Sequence, residues 1–257
     1  MEGSWYCLDH CLERALTDAL QRMRSTPKTS AAAHRIPLGL LLLSRQQLTA
    51  EQLRQGLAAQ RAAGRGRIGE WLQALGFANE QQITSALARQ WSCPVLRASS
   101  LPAGDGRGPQ LPVALLEAFF MVPVDYVPSR ATLHLAFSEG IDYTVLYAIE
   151  QMLGCHTEPC LVLPSALRKN LEARSKRRGE CEVVFDRVSD AAELARIVRS
   201  YALRVAASEI RWAVCGPHLW VRMPRPPRPP LDLLLRSPAE VAGPPMPGGM
   251  SVAAPAV

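Results

Sequence analysis

Pro37-Leu38-Gly39-Leu40-Leu41-Leu42-Leu43-Ser44-Arg45-Gln46 is echoed thirty residues later by Arg67-Ile68-Gly69-Glu70-Trp71-Leu72-Gln73-Ala74-Leu75-Gly76. The echo continues: Leu53, Leu57 and Gln60 fall on Ile83, Leu87 and Gln90 at the same offset. Self-similarity at a short fixed period means two like supersecondary units that bury their apolar faces against each other. Each unit reads as two short helices. The first starts at the Gly, and the second follows Leu48-Thr49 or Ala78-Asn79, where Thr49 and Asn79 are N-cap residue types ahead of Glu51 and Glu80.

Punctuation along the chain organises the remainder. Trp5, Leu8, Leu12, Leu16, Ala19 and Met23 at three- and four-residue steps predict an amphipathic helix over residues 1–24, followed by a linker at Ser25–Ser30. Leu101–Pro112 is a Pro- and Gly-rich connection. Met121–Tyr126 and Thr132–Phe137 flank Pro128-Ser129-Arg130 as a hairpin. A helix over Ile141–Leu153 stops at Gly154, Thr157–Leu163 is a strand, and Pro164 opens a helix to Ala173. The basic run Arg174–Arg178 reads as a solvated helix end. A helix at Asp190–Ala207 and a strand pair, Glu209–Cys215 with His218–Met223, come next, and the Pro-, Gly- and Ala-rich stretch from Pro224 reads as disordered.

The expected fold class is therefore α+β: a tandem helical-repeat subdomain, a small α/β sandwich-like module built as hairpin, helix, strand and helix, then a helix plus strand pair and a disordered tail. The expected units are an N-terminal helix and linker at 1–30, the repeats at 31–100, the small α+β module at 101–180, the helix and β-pair at 181–223, and the tail at 224–257.

Composition narrows the function classes. At 48% hydrophobic content the chain has ample material for a packed core, yet its longest apolar run, Leu38–Leu43, is far below the roughly twenty residues of a bilayer crossing. The N-terminus, with Glu2 and Asp9, lacks a signal peptide's pattern, so a cytoplasmic protein without a transmembrane segment is expected. A net charge of +6 favours an anionic partner without choosing one. Seven cysteines without regular spacing fit reduced thiols. Cys7, His10 and Cys11, and Cys155, His156 and Cys160, are two conceivable zinc clusters, but neither has a paired C-x-x-C, and packing thiols are the commoner role. His10, His34, His134, His156 and His218 are scattered without evident carboxylate partners, and no H-E-x-x-H, G-x-S-x-G or dinucleotide fingerprint occurs.

Arg67-Ile68-Gly69-Glu70-Trp71-Leu72, then Gly76, Ile83, Ala86-Leu87 and Gln90, resembles the R-L-G-x-x-L…G…L-x-x-A-L-x-x-Q pattern in the N-terminal domain of the type II secretion and type IV pilus assembly ATPases (GspE, PilB, MshE). That family carries the motif twice in tandem, and the tandem (MshEN) form is a cyclic di-GMP receptor. The resemblance runs through Trp91-Ser92-Cys93-Pro94 and covers roughly Arg35 to Ala173. Ala206-Ala207-Ser208-Glu209-Ile210-Arg211 with Leu219-Trp220-Val221-Arg222 is similar to the G-A-S-D-I-H…L-R-V-R segment just ahead of the ATPase core. No G-x-x-x-x-G-K-[ST] phosphate loop is present, so the resemblance implies a non-enzymatic regulatory part of bacterial secretion or pilus machinery, with no cofactor.

The resemblance also implies a ligand and its site. Cyclic di-GMP would be held by Leu38, Gly39, Leu42, Leu43, Gln60, Arg67, Ile68, Gly69, Leu72 and Gln90, with Arg35 as a further contact and no metal. Exposed amides at the Gly turns and an Arg suit phosphates, while leucines suit base faces. The first motif departs from the pattern: Pro37 stands in the Arg position and Gln46 in that of the inner Gly. The protein partner would be a component of a secretion or pilus assembly, no nucleic acid is expected, and peripheral attachment to an inner-membrane assembly is consistent with this. The alternative is a docking module with a degenerate nucleotide site.

Overall fold

The computed structural model describes residues 9–25, 35–102, 108–177, 179 and 181–236. The duplicated stretch folds as two helix pairs, α2 (Leu38–Ser44) with α3 (Ala50–Ala63) and α4 (Ile68–Ala74) with α5 (Glu80–Trp91). Local chemistry repeats with the sequence. Thr49 and Asn79 each accept from the amide of a Gln three residues on, and Gln52 and Gln82 return the bond to the cap amide. This reciprocal arrangement satisfies two otherwise orphaned helix-end donors.

The two pairs interlock instead of stacking, for α2 packs on α5 and α3 packs on α4. Leu38, Leu42, Leu48, Leu72, Ala78, Ile83 and Ala86 form their shared core. Both α2 and α4 end on a left-handed residue at equivalent positions, Gln46 (φ 57) and Gly76 (φ 71). The same turn geometry is thus made once with glycine and once with a residue whose Cβ opposes it.

The next module is a three-stranded sheet in the order β1-β2-β3. Strands β1 (Met121–Val127) and β2 (Thr132–Phe137) are antiparallel, and β3 (His156–Leu161) joins β2 in parallel through the crossover helix α7 (Tyr143–Leu153). The hairpin, the helix and its Gly154 stop (φ 65) agree with the sequence reading, while the parallel pairing of β3 with β2 is seen only in the structure. Helix α6 (Val113–Ala118), in a stretch to which no element was assigned from sequence, precedes β1, and α8 (Pro164–Ser175) follows β3. Pro94 and Leu96 bond the backbone of Leu161, so the exit of α5 lies along β3.

The last part differs most from expectation. A four-stranded sheet forms in the order β4-β7-β6-β5, from β4 (Glu182–Phe185), β5 (Arg211–Cys215), β6 (His218–Arg225) and β7 (Arg228–Arg236). The expected disorder from Pro224 is therefore corrected as far as Arg236, because Leu231, Leu233, Leu234 and Leu235 are all buried. Alternate burial faces two cores here, and that outweighs the proline content, whose Pro226-Pro227 pair sits in the hairpin turn. The remainder of the expected tail, 237–257, lies outside the described residues, as do Trp5, Leu8 and the linker residues 26–34.

Helices α1 (Asp9–Ser25) and α9 (Ala191–Arg204) pack on each other, with Leu16, Ala19 and Met23 buried beside Leu194 and Val198. The other face of this sheet supplies Ala213, Cys215, Trp220 and Leu234 to the central core. Arg174 corrects the reading of its basic run, being 5% exposed with Nε donating to Asn170 Oδ1 at 2.8 Å. Among the described residues no helix is long and apolar enough to cross a membrane.

A buried ionic cluster ties the second sheet to the connection before α6. Asp232 accepts from Arg222 Nε and Nη2, each at 2.8 Å, and from Trp220 Nε1 at 2.8 Å, while Arg222 Nη2 also reaches the Gln110 carbonyl at 2.7 Å. With both side chains under a tenth exposed, removing one partner leaves an uncompensated buried charge. Asp232→Ala is expected to lower stability by about 3–5 kcal/mol in denaturant unfolding. Gln46→Gly, restoring the residue type of the second repeat, is expected to raise it by about 0.5–1 kcal/mol in the same assay.

Candidate functional site

The expected glycine faces are occupied by protein. A Cβ on Gly39 would stand 2.6 Å from Leu53 Cδ1, and one on Gly69 would stand 3.3 Å from Ile83 Cγ2 and from Leu38 Cδ2. The glycines serve helix contact, so they do not leave the open approach that a ligand reading expects. Leu42 and Leu72 are 0% exposed and belong to the repeat core, as does Leu38. Leu43 and Ile68 are half-buried against it. A leucine one turn into each short helix, Leu42 or Leu72, meets the repeat core before it meets solvent, and that is why these two are fully buried.

The glutamines have a structural partner as well. Gln60 Nε2 donates to the Gly66 carbonyl at 2.9 Å, and Gln90 Nε2 donates to the Ile36 carbonyl at 2.7 Å. These are equivalent bonds, each running from the end of one unit to the lead-in of the other. Each fixes a backbone segment next to an arginine, Arg67 in one case and Arg35 in the other.

Those two arginines are the expected residues that come together at an opening. They line one cleft of about 510 Å³ with Trp91, Phe119, Glu139 and Tyr143. Arg35 lies flat over the Trp91 ring, 3.4 Å from guanidinium carbon to ring centroid, and Tyr143 lies 6.2 Å beyond it between centroids. Arg67 Nη1 donates to Glu139 Oε2 at 2.7 Å. Arg35 stands two residues before Pro37, and its guanidinium enters the cleft that Arg67 also lines. The cleft wall opposite the repeats comes from the end of α6 and from the β2–α7 loop, where Asp142 caps α7 through the Thr144 amide at 2.8 Å.

Phe119, Phe120, Glu139, Gly140 and Asp142 were not singled out in the sequence. Their common signal is position: they sit just before β1 and just after β2, together at the open end of the hairpin. Phe120 holds a left-handed φ of 47, a conformation disfavoured for a bulky residue and sparsely found outside functional or tightly packed turns.

The cysteines buried among the described residues serve packing. Burial pushes the Cys160 and Cys215 thiols up to about 12, so both stay protonated and unreactive at neutral pH. Cys155 and Cys160 are packed in the central core while His156 is exposed, and no group of three metal-ligating side chains gathers among the described residues. Cys7 lies outside the described residues, as do the side chains of His10 and Cys11.

No family model and no curated protein matches the chain. Among solved structures the chain is similar to MshE with cdg, at 28% identity and a TM-score of 0.46, over 56% of this chain and 100% of that one. It resembles MshE. The N-terminal domain of XpsE is also similar, at 22% identity and a TM-score of 0.43, over 57% of this chain and 97% of that one. MshE is among the proteins whose tandem motif the repeats resemble.

Helix contact at the two glycines has a graded consequence. Gly39→Ala is expected to lose about 1–2 kcal/mol, since the new methyl must displace Leu53, whereas Gly69→Ala is expected to stay within about 1 kcal/mol of the parent because its neighbours at 3.3 Å are side-chain methyls that need give only slightly. Thermal or denaturant unfolding of the two variants reads the difference.

Proposed function

We propose that this chain is a non-catalytic regulatory protein that binds cyclic di-GMP in the Arg35–Arg67 cleft and passes the binding event to a protein of a secretion or pilus assembly. The observation that carries this reading is the convergence of two guanidiniums, one from the lead-in of each repeat, beside a tryptophan and a tyrosine. A cyclic dinucleotide presents two phosphates and two flat purines. Guanidinium pairs with phosphate by charge-assisted hydrogen bonds, and aromatic rings stack on bases. The cleft volume falls in the range of small-molecule sites. The tandem motif supports the same ligand class, and the lack of a phosphate loop supports a role without ATP hydrolysis.

A second reading is a docking module without a small ligand. It is favoured by the filled glycine faces and by the ion pair that already satisfies Arg67. Tyr147, 67% exposed on α7, gives such a module an aromatic contact.

Calorimetric titration of the full chain with cyclic di-GMP separates the two. Saturable heat is expected, with affinity reduced about tenfold or more in Arg67→Ala and reduced also in Arg35→Ala. Unchanged affinity in both variants removes the cleft as the site, and absence of heat leaves the docking reading.

A further inference from the structure

Arg67 carries the nucleotide reading, and it is already engaged by Glu139 in this structure. Glu139 belongs to a different part of the fold. It follows β2 in the loop 138–142, which leads directly into the Asp142 cap of α7. The pair is half open to solvent, with side-chain exposures of 62% for Arg67 and 39% for Glu139, so an incoming anion has access to it. The loop touches the repeats at a second point, where the Gly140 Cβ position lies 3.2 Å from Trp91 Cζ2. Glu139 and Gly140 thus fasten the β2–α7 loop to the two side chains on which the proposed site is built.

Charge makes the contact consequential. Arg35 and Arg67 face Glu139 and Asp142 in the cleft, so two cations are matched by two carboxylates. A phosphodiester approaching Arg67 meets a like charge held at hydrogen-bond distance from the same guanidinium. Arg67 keeps other N–H donors, but a phosphate bound to the same guanidinium stands close to the Glu139 carboxylate, and repulsion between the two anions at such range disfavours their sharing it. An exposed ion pair is weak enough to be exchanged for a phosphate contact.

We propose that Glu139 is an intramolecular competitor of the nucleotide: it occupies Arg67 in the unliganded protein, sets the affinity threshold of the cleft, and is released when cyclic di-GMP binds. This rests on the cleft being a cyclic di-GMP site. Release unfastens the loop between β2 and α7, which is the route by which occupancy of the repeats reaches the β module. By linkage, any partner that draws the loop away from the repeats raises nucleotide affinity by the same factor that nucleotide raises partner affinity.

The test is titration of the full chain with cyclic di-GMP for the parent, Glu139→Gln, Glu139→Ala, Arg67→Ala and Arg67→Ala/Glu139→Gln, with amide exchange of residues 138–142 followed in parallel. The two Glu139 variants are expected to bind about three- to tenfold tighter than the parent, and nucleotide is expected to speed exchange in the parent's loop. The gain must vanish in the Arg67→Ala background. Equal or weaker binding by both Glu139 variants, where the parent binds, overturns the competitor and leaves the site standing. An undiminished gain in the Arg67→Ala background also overturns it, since the effect is then bulk charge. No heat from the parent or from either Glu139 variant overturns both the competitor and the nucleotide site. Heat from the Glu139 variants alone supports the competitor in its strongest form.

Discussion

Close approach of two helix pairs is the constraint from which the rest follows. Gly39 lets α2 press on Leu53 within its own pair, Gly69 lets α4 press on Ile83 of its own pair and on Leu38 of the other, and Gly56 of α3 admits Leu72 and Ile68 of α4, so contact is close both within and between the units. Helices of seven residues have little stability of their own, because nucleation consumes most of what a few backbone bonds provide. They persist here through the shared leucine core and through the reciprocal glutamine bonds from Gln60 and Gln90.

That interlock determines where the arginines go. Held by the carbonyls next to them, the lead-ins to α2 and α4 emerge on the side that faces the β module. Arg35 finds the face of Trp91, and Arg67 finds Glu139. The cleft is a seam between units, and its balance of two cations and two carboxylates exists only because the β2–α7 loop meets the repeats there. A cleft at such a seam changes shape when the elements on its two sides shift relative to each other. Helix α7, which follows that loop, packs both on β3 and on β5 of the second sheet.

The duplication, the helix caps, the hairpin and the end of α7 were legible because each has a local signal: a fixed offset, Thr49 or Asn79 before a Glu, a Pro-Ser-Arg turn between β-type runs, and Gly154 after an apolar helix face. Strand β7 was not legible. Its prolines dominate the composition of the stretch, and the burial that makes Leu231–Leu235 a strand comes from Asp232 joining Arg222 and from pairing on both sides by β4 and β6. Arg174 was misread for a similar reason, since Asn170 accepts its guanidinium inside a helix surface that composition describes as solvated.

Sequence by itself determined that the chain holds two like helical units with glycine at each entry, that an α+β module follows, and that one arginine of the motif pair is replaced by Pro37. These are properties of residue order, which local sterics and periodicity translate into structure. Only the tertiary structure decided that the glycines are filled by neighbouring leucine and isoleucine, that Arg35 lies over Trp91 in the cleft that Arg67 also lines, and that Glu139, far along the chain, pairs with Arg67. Those are meetings between residues distant in sequence, and their geometry depends on how whole elements pack, which no local pattern encodes.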